Sequence, residues 1–164
     1  DMARPGVAAQ GMGLAQGALE LANRYTSQRN QFGQPVNRFQ MVQQMLADMA
    51  MKTEAARQLI YAAAGAADSG NLAAVNQLAA LAKCFTTDVA MEVTTDAVQL
   101  FGGYGFMEDY PIEKYMRDAK FTQIYEGTNQ VQRMVIARNL AKEAGSLCFL
   151  DEVIPAEDQD VYEG

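Results

Sequence analysis

Residues 72–103 read LAAVNQLAALAKCFTTDVAMEVTTDAVQLFGG, and the spacing within this stretch decides the fold class. Leu78, Leu81, Phe85, Val89, Val93, Ala97 and Leu100 recur every three or four residues, the repeat of one face of an α-helix. The spacing predicts a helix over 72–101. Gly102-Gly103 closes it, because glycine at a helix C-terminus takes backbone angles that other residues avoid.

The same period continues on both sides. Val7, Leu14, Ala18, Leu21 and Tyr25 predict a helix from Pro5 to about Gln28, with Pro5 tolerated in the first turn. It stops near Arg29, where Gly33 and then Pro35 read as a left-handed cap followed by a residue that cannot continue a helix. A second helix begins near Arg38, presents Val42, Met45, Met49, Ala56, Ile60 and Ala63 to one side, and ends at Asp68-Ser69-Gly70. Beyond Gly103, Pro111 fits the first turn of a short helix over Ile112–Asp118, and a last helix is predicted over Asn129–Ala144. Strands are nearly absent. Three long helices and a medium one with short connections imply an all-α domain, an antiparallel up-down four-helix bundle. The alanine and methionine content suits close, adaptable packing.

With 164 residues, nearly half of them hydrophobic, the chain is long enough to bury a core as one domain, and no 20–50-residue period suggests a repeat array. Residues 1–142 hold 13 acidic and 13 basic side chains, and the remaining 7 acids lie beyond Lys142. A balanced body over 1–144 with an acidic tail over 145–164 argues against nucleic acid, whose binding needs clustered Lys and Arg. Cys84 and Cys148 offer neither metal-ligand spacing nor a secreted disulfide framework, so no metal is expected and a reducing compartment is the simpler reading. No apolar run approaches the ~20 residues of a membrane span, and no signal-peptide pattern opens the chain. The direct start in a helical pattern after Asp1 is read as a fragment of something longer. With no histidine, acid–base chemistry falls to carboxylates or tyrosines.

Three helix-end junctions offer places for chemistry, because helix ends expose unpaired backbone groups and fixed partial charges. Arg29-Asn30-Gln31-Phe32-Gly33 could grip a pyrophosphate through the arginine, or Arg29 could simply complete a helix C-terminus. Gly102-Gly103 could admit a ligand close to the backbone, or merely cap a helix; no strand precedes it, so it is no dinucleotide fingerprint. Glu126 stands between Tyr125 and Gly127 just before the last helix. Burial against Tyr125 and an apolar ligand would raise its pKa while the helix N-terminus would lower it. The alternative is a carboxylate that only complements the helix dipole.

Taken together, these junctions resemble the C-terminal helical domain of the acyl-CoA dehydrogenase family, in its medium- and short-chain-like branch. The resemblance covers residues 1 to about 143. Its most specific string is Gln99-Leu100-Phe101-Gly102-Gly103-Tyr104-Gly105-Phe106, then Tyr110-Pro111-Ile112-Glu113-Lys114, Met116-Arg117-Asp118-Ala119-Lys120 and Gln123-Ile124-Tyr125-Glu126-Gly127-Thr128. Arg29 to Gly33 with Phe39-Gln40 matches a second motif, and Asp1-Met2-Ala3-Arg4-Pro5 is similar to the start of the domain.

The resemblance implies a three-domain subunit, helical, β and helical, of which this chain is the third part, in a homotetramer built as a dimer of dimers. It implies an FAD enzyme that converts an acyl-CoA thioester to a trans-2-enoyl-CoA, with electrons passed to electron-transferring flavoprotein. Glu126 would take the α-proton as the β-hydrogen leaves as hydride, and the Glu126 backbone N–H would polarise the thioester carbonyl. Arg29, Gln31, Phe32, Gln40, Gln99, Gly102 and Gly103 would touch the FAD of a neighbouring subunit, Thr128 and Gln130 the FAD beside their own Glu126. Arg4 and Gly127 would line the acyl-CoA site. Some branches place the base immediately before the residue matching Arg4; here that residue is Ala3, which cannot serve. The implied location is the cytoplasm of a bacterium or the mitochondrial matrix of a eukaryote. An acyl-CoA oxidase is the nearest alternative, and a non-catalytic helical oligomerisation module is the alternative of a different class.

Overall fold

The computed structural model describes residues 3–146, except for the side chains of Ala73 and Ser146. The acidic segment expected over 145–164 therefore falls, from residue 147 on, outside the described residues. Five helices make up the fold: α1 (Ala3–Gln28), α2 (Gln40–Asp68), α3 (Leu72–Phe101), α4 (Ile112–Thr122) and α5 (Asn129–Ser146). A two-stranded hairpin, β1 (Asn30–Gln31) and β2 (Gln34–Pro35), joins α1 to α2.

Every α-helix packs on α3. Arg4 near the start of α1 bonds Asn76 near the start of α3, so these two helices run the same way. Arg57 of α2 bonds Gln16 of α1, and Ala63 meets Ala8, so α2 runs against both. The fourth stave is divided. Gln123, just past α4, bonds Asp88 of α3, and Ile112 and Ala119 pack among Val89, Ala97 and Phe101. Further along, Asn129 meets Cys84 and Thr87, and Asn139 meets Gln77. Thus α4 covers the C-terminal half of α3 and α5 the N-terminal half, both antiparallel to it. The all-α expectation holds, and the two last helices, expected as separate elements, lie in series on α3 as one divided stave, with the break at residues 123–128.

The core is built from small side chains. Ala15, Ala18 and Ala22 of α1 meet Ala90, Val93 and Ala97 of α3, all fully buried, and side chains this short let helix axes approach closely. The predicted apolar stripe on α3 catches Val89, Val93 and Ala97 but also Phe85, which is 42% exposed. Because α3 is covered by four neighbours, its buried surface also takes in Ala79, Ala82, Thr86, Thr87 and Thr94. Thr87 and Thr94 return their hydroxyls to the carbonyls of Lys83 and Ala90, which satisfies a polar group inside a helix seam.

Two junctions differ from expectation. Gly33 does not cap α1, which ends five residues earlier at Gln28; with Phe32 (φ 53°) and Gly33 (φ 80°) both left-handed, the pair forms the two-residue turn of the hairpin, the type that favours positive φ at both places. The helix predicted to end at Asp118 continues to Thr122. At the start of α3, Asn71 accepts a hydrogen bond from the Ala74 N–H at 3.1 Å, an N-cap that fixes where the helix begins.

Candidate active site at the interrupted stave

The break between α4 and α5 holds Glu126. Phe121 and Tyr125 stack with ring centroids 4.6 Å apart, and the Tyr125 hydroxyl contacts Gln10 of α1, pinning the approach to the turn. Burial raises the Tyr125 pKa, with the Glu126 charge adding to the shift. Glu126 itself is in the left-handed region at φ 54°, and Gly127 follows at φ 85°. The positive φ favours glycine at 127, and a Cβ there would stand 2.6 Å from Gln132 Nε2, so the glutamine amide would have to shift. The left-handed backbone at Glu126 costs on the order of 1 kcal/mol. Gln132 helps to hold it, its side-chain nitrogen reaching the Glu126 and Gly127 carbonyls at 3.4 and 3.3 Å.

Glu126 opens onto a cleft of about 530 Å³ bordered by Arg4, Asn76, Gly127, Gln132 and Arg138. Arg4 is 6% exposed and donates to Gln132 Oε1 at 3.4 Å and Asn76 Oδ1 at 2.8 Å; burial pulls its pKa down. Arg4, Glu126 and Gly127 are therefore brought together as expected. The burial foreseen for Glu126 is not supplied by this domain: its carboxylate is exposed, at the edge of the cleft. Among the hydrogen bonds between described residues, none uses the Glu126 backbone N–H as donor.

Thr128 and Gln130 lie elsewhere around the turn, in a depression with Asp88, Lys120, Gln123 and Arg133. The Thr128 hydroxyl accepts from the Val131 N–H at 3.3 Å, which makes it the N-cap of α5. Beneath the turn lies a polar network that the sequence reading passed over. Lys83, fully buried on α3, donates to the Gly127 carbonyl and to Asn129 Oδ1, and Asn129 Nδ2 donates to Asp88 Oδ1 at 2.7 Å. Burial lowers the Lys83 pKa, opposed by Cys84 and Asp88. A signal was available: Lys83 sits in an unbroken helix four residues from Ala79 and Thr87, on a face that is otherwise small and uncharged.

The remaining candidates gather at the opposite end of the bundle. Arg29, Gln31, Phe32, Gln99, Gly102 and Gly103 line a groove of about 720 Å³ together with Tyr25, Phe39 and Tyr104. Gln40, the first residue of α2, lies beside this group without lining the groove. The Arg29 guanidinium stands 5.5 Å from the Tyr104 ring centroid, a cation–π distance. Phe32 is 91% exposed at the tip of the hairpin, which leaves its ring open to a ligand at the groove. Gly102 (φ 61°) and Gly103 present bare backbone, with nothing within 4 Å of an added Cβ. The mostly apolar walls, a guanidinium at the rim and this open backbone fit a flat heteroaromatic group joined to phosphates. Arg4 and Arg29 are separated by 25 residues of nearly continuous helix, roughly 38 Å at 1.5 Å per residue.

Among the described residues no group of three or more Cys, Asp or Glu converges on a possible metal position, and no helix is long and apolar enough to cross a membrane.

Residues 1–141 match the family model described as acyl-CoA dehydrogenase, C-terminal domain. The chain is 58% identical over 142 residues to a probable acyl-CoA dehydrogenase of Mycobacterium tuberculosis, covering 87% of this chain and 36% of the relative. Butyryl-CoA dehydrogenase of Megasphaera elsdenii has the same fold at a TM-score of 0.82 with 54% identity, over 84% of this chain and 36% of that one. A chain in a structure of the electron transferring flavoprotein of Acidaminococcus fermentans matches at a TM-score of 0.81 with 59% identity, again over 84% and 36%. The protein thus spans about a third of the length of the relatives it matches, and it belongs to the acyl-CoA dehydrogenase family as that family's C-terminal domain.

Proposed function

We propose that this domain supplies the base of a flavin-dependent dehydrogenase that converts an acyl-CoA thioester to a trans-2-enoyl-CoA and delivers electrons to an electron-transferring flavoprotein. The observation that carries the reading is the Glu126–Gly127 turn at the edge of the cleft, where the Glu126 carboxylate is exposed and the Glu126 backbone N–H donates to none of the described residues. A carboxylate accepts the α-proton, while an N–H directed at the thioester oxygen stabilises the enolate charge as it develops. Arg4 and Gly127 border the same cleft as Glu126, which supports assigning them to the acyl-CoA, and Arg4 bonds Gln132 behind the turn.

Arg29, Gln31, Phe32, Gln40, Gln99, Gly102 and Gly103 are the residues we assign to FAD of a neighbouring subunit, and Thr128 and Gln130 to the FAD beside Glu126. When bound, FAD supplies the acceptor for the β-hydrogen as hydride. Support for two different cofactors comes from the separation of the two places: the groove lies where α1 and α3 end, whereas the Glu126 turn packs against Lys83, partway along α3. A homotetramer of three-domain subunits, with residues 1–144 as the third domain, fits this division, since each cofactor would then be completed by a second copy.

The test is Glu126→Gln in a full-length, FAD-loaded subunit carrying this domain. FAD retention with α-proton exchange lowered by roughly 10²–10⁴-fold is expected for loss of a general base. Exchange at the wild-type rate would reject Glu126 as the base.

A further inference from the structure

Lys83 is the one lysine among the described residues with no exposed surface, and it lies directly behind the turn that holds Glu126. Its ammonium donates to the Gly127 carbonyl at 2.9 Å and to Asn129 Oδ1 at 2.7 Å. Both acceptors are neutral oxygens. Withdrawing an ammonium from water costs several kcal/mol, and an apolar side chain of similar volume often serves stability as well or better. Packing alone is therefore a poor reason for a lysine here.

Its two partners flank Thr128, one at the residue after Glu126 and the other at the first residue of α5. Asn129 is itself anchored to α3, donating to Thr87 Oγ1 at 2.8 Å and to the Cys84 carbonyl at 3.2 Å. Gln132 grips the Gly127 carbonyl from the other side at 3.3 Å. Glu126 and Gly127 are successive left-handed residues, a conformation that persists only when its surroundings over-determine it. The Lys83 bond ties the Gly127 carbonyl of that turn directly to the central helix.

We propose that Lys83 is a positioning residue for the reaction: through the Gly127 carbonyl it holds the left-handed turn that presents the Glu126 carboxylate and backbone N–H to the cleft. This rests on the reading of Glu126 as the base. A side chain without a donor at position 83 leaves the Gly127 carbonyl held by Gln132 alone, and Glu126 can then move with it.

Lys83→Met, Lys83→Ala and Glu126→Gln are compared in a full-length, FAD-loaded subunit. For flavin-loaded Lys83→Met we expect kcat and α-proton exchange to fall together by about 10²-fold, the effect of a displacement near 1 Å, with KM within about threefold. Propylammonium, which replaces the atoms removed in Lys83→Ala, restores exchange by about tenfold, and propan-1-ol at the same concentration does not. Wild-type kcat within about twofold in Lys83→Met, or the absence of amine rescue in Lys83→Ala, overturns the proposal. If both variants fail to load flavin, Lys83→Leu, which likewise lacks a donor, carries the test under the same kcat criterion. An inactive Glu126→Gln beside a fully active Lys83→Met rejects Lys83 alone; an active Glu126→Gln rejects the base as well.

Discussion

The two halves of α3 are joined to the fourth stave by different chemistry. Its C-terminal half meets α4 through Ile112 and Ala119, packed dry against Val89, Ala97 and Phe101. Its N-terminal half meets α5 through Lys83, Thr87, Asp88 and Gln77, bonded to Asn129, Arg133 and Asn139. Apolar contact is non-directional and tolerates small adjustments, whereas a buried hydrogen-bond network fixes orientation and is costly when half satisfied. The Glu126 carboxylate lies where one regime gives way to the other. The dry half supplies stability, and the wet half supplies the geometry of the turn.

Substitutions can sharpen or break that contrast. The largest effect is expected from Ile112→Ala: a fully buried side chain in the dry half, whose loss should cost about 2–5 kcal/mol in denaturant unfolding. In the wet half, Gly127→Ala meets both φ 85° and the 2.6 Å approach to Gln132. It should lower kcat of the full-length enzyme by about 10²-fold while costing only about 1–2 kcal/mol of stability. The smallest effect is expected for Arg133→Ala, which removes a partly exposed ion pair to Asp88, worth at most about 1 kcal/mol. Equal unfolding losses for Ile112→Ala and Arg133→Ala would show that the two halves are not held differently.

The helices were legible because their apolar residues repeat at the helical period, and the site was legible because the string from Gln99 to Thr128 resembles a family motif. What escaped has physical causes. Periodicity locates a face that is apolar, but α3 is covered on all sides, so its buried surface includes Lys83 and Thr87 while Phe85 stays partly exposed. The hairpin at Asn30–Pro35 is too short to show alternation, and Gly33 serves a strand turn as readily as a helix cap. That Thr128 caps α5 follows from where the helix begins, and no spacing in the sequence distinguishes that role from contact with a ligand. The interruption of the fourth stave depends on how α4 and α5 both lie on α3, a long-range relation that local pattern does not encode.

The first helix runs unbroken from beside the carboxylate turn to the edge of the aromatic groove, its one proline confined to the first turn. Arg4 anchors one end of this rod and Tyr25 the other, the latter stacked on Phe101 at 4.2 Å. A rod so fastened joins the two places: under the proposed function, a tilt imposed at the Arg4 cleft would also shift the groove lined by Arg29 and Phe32.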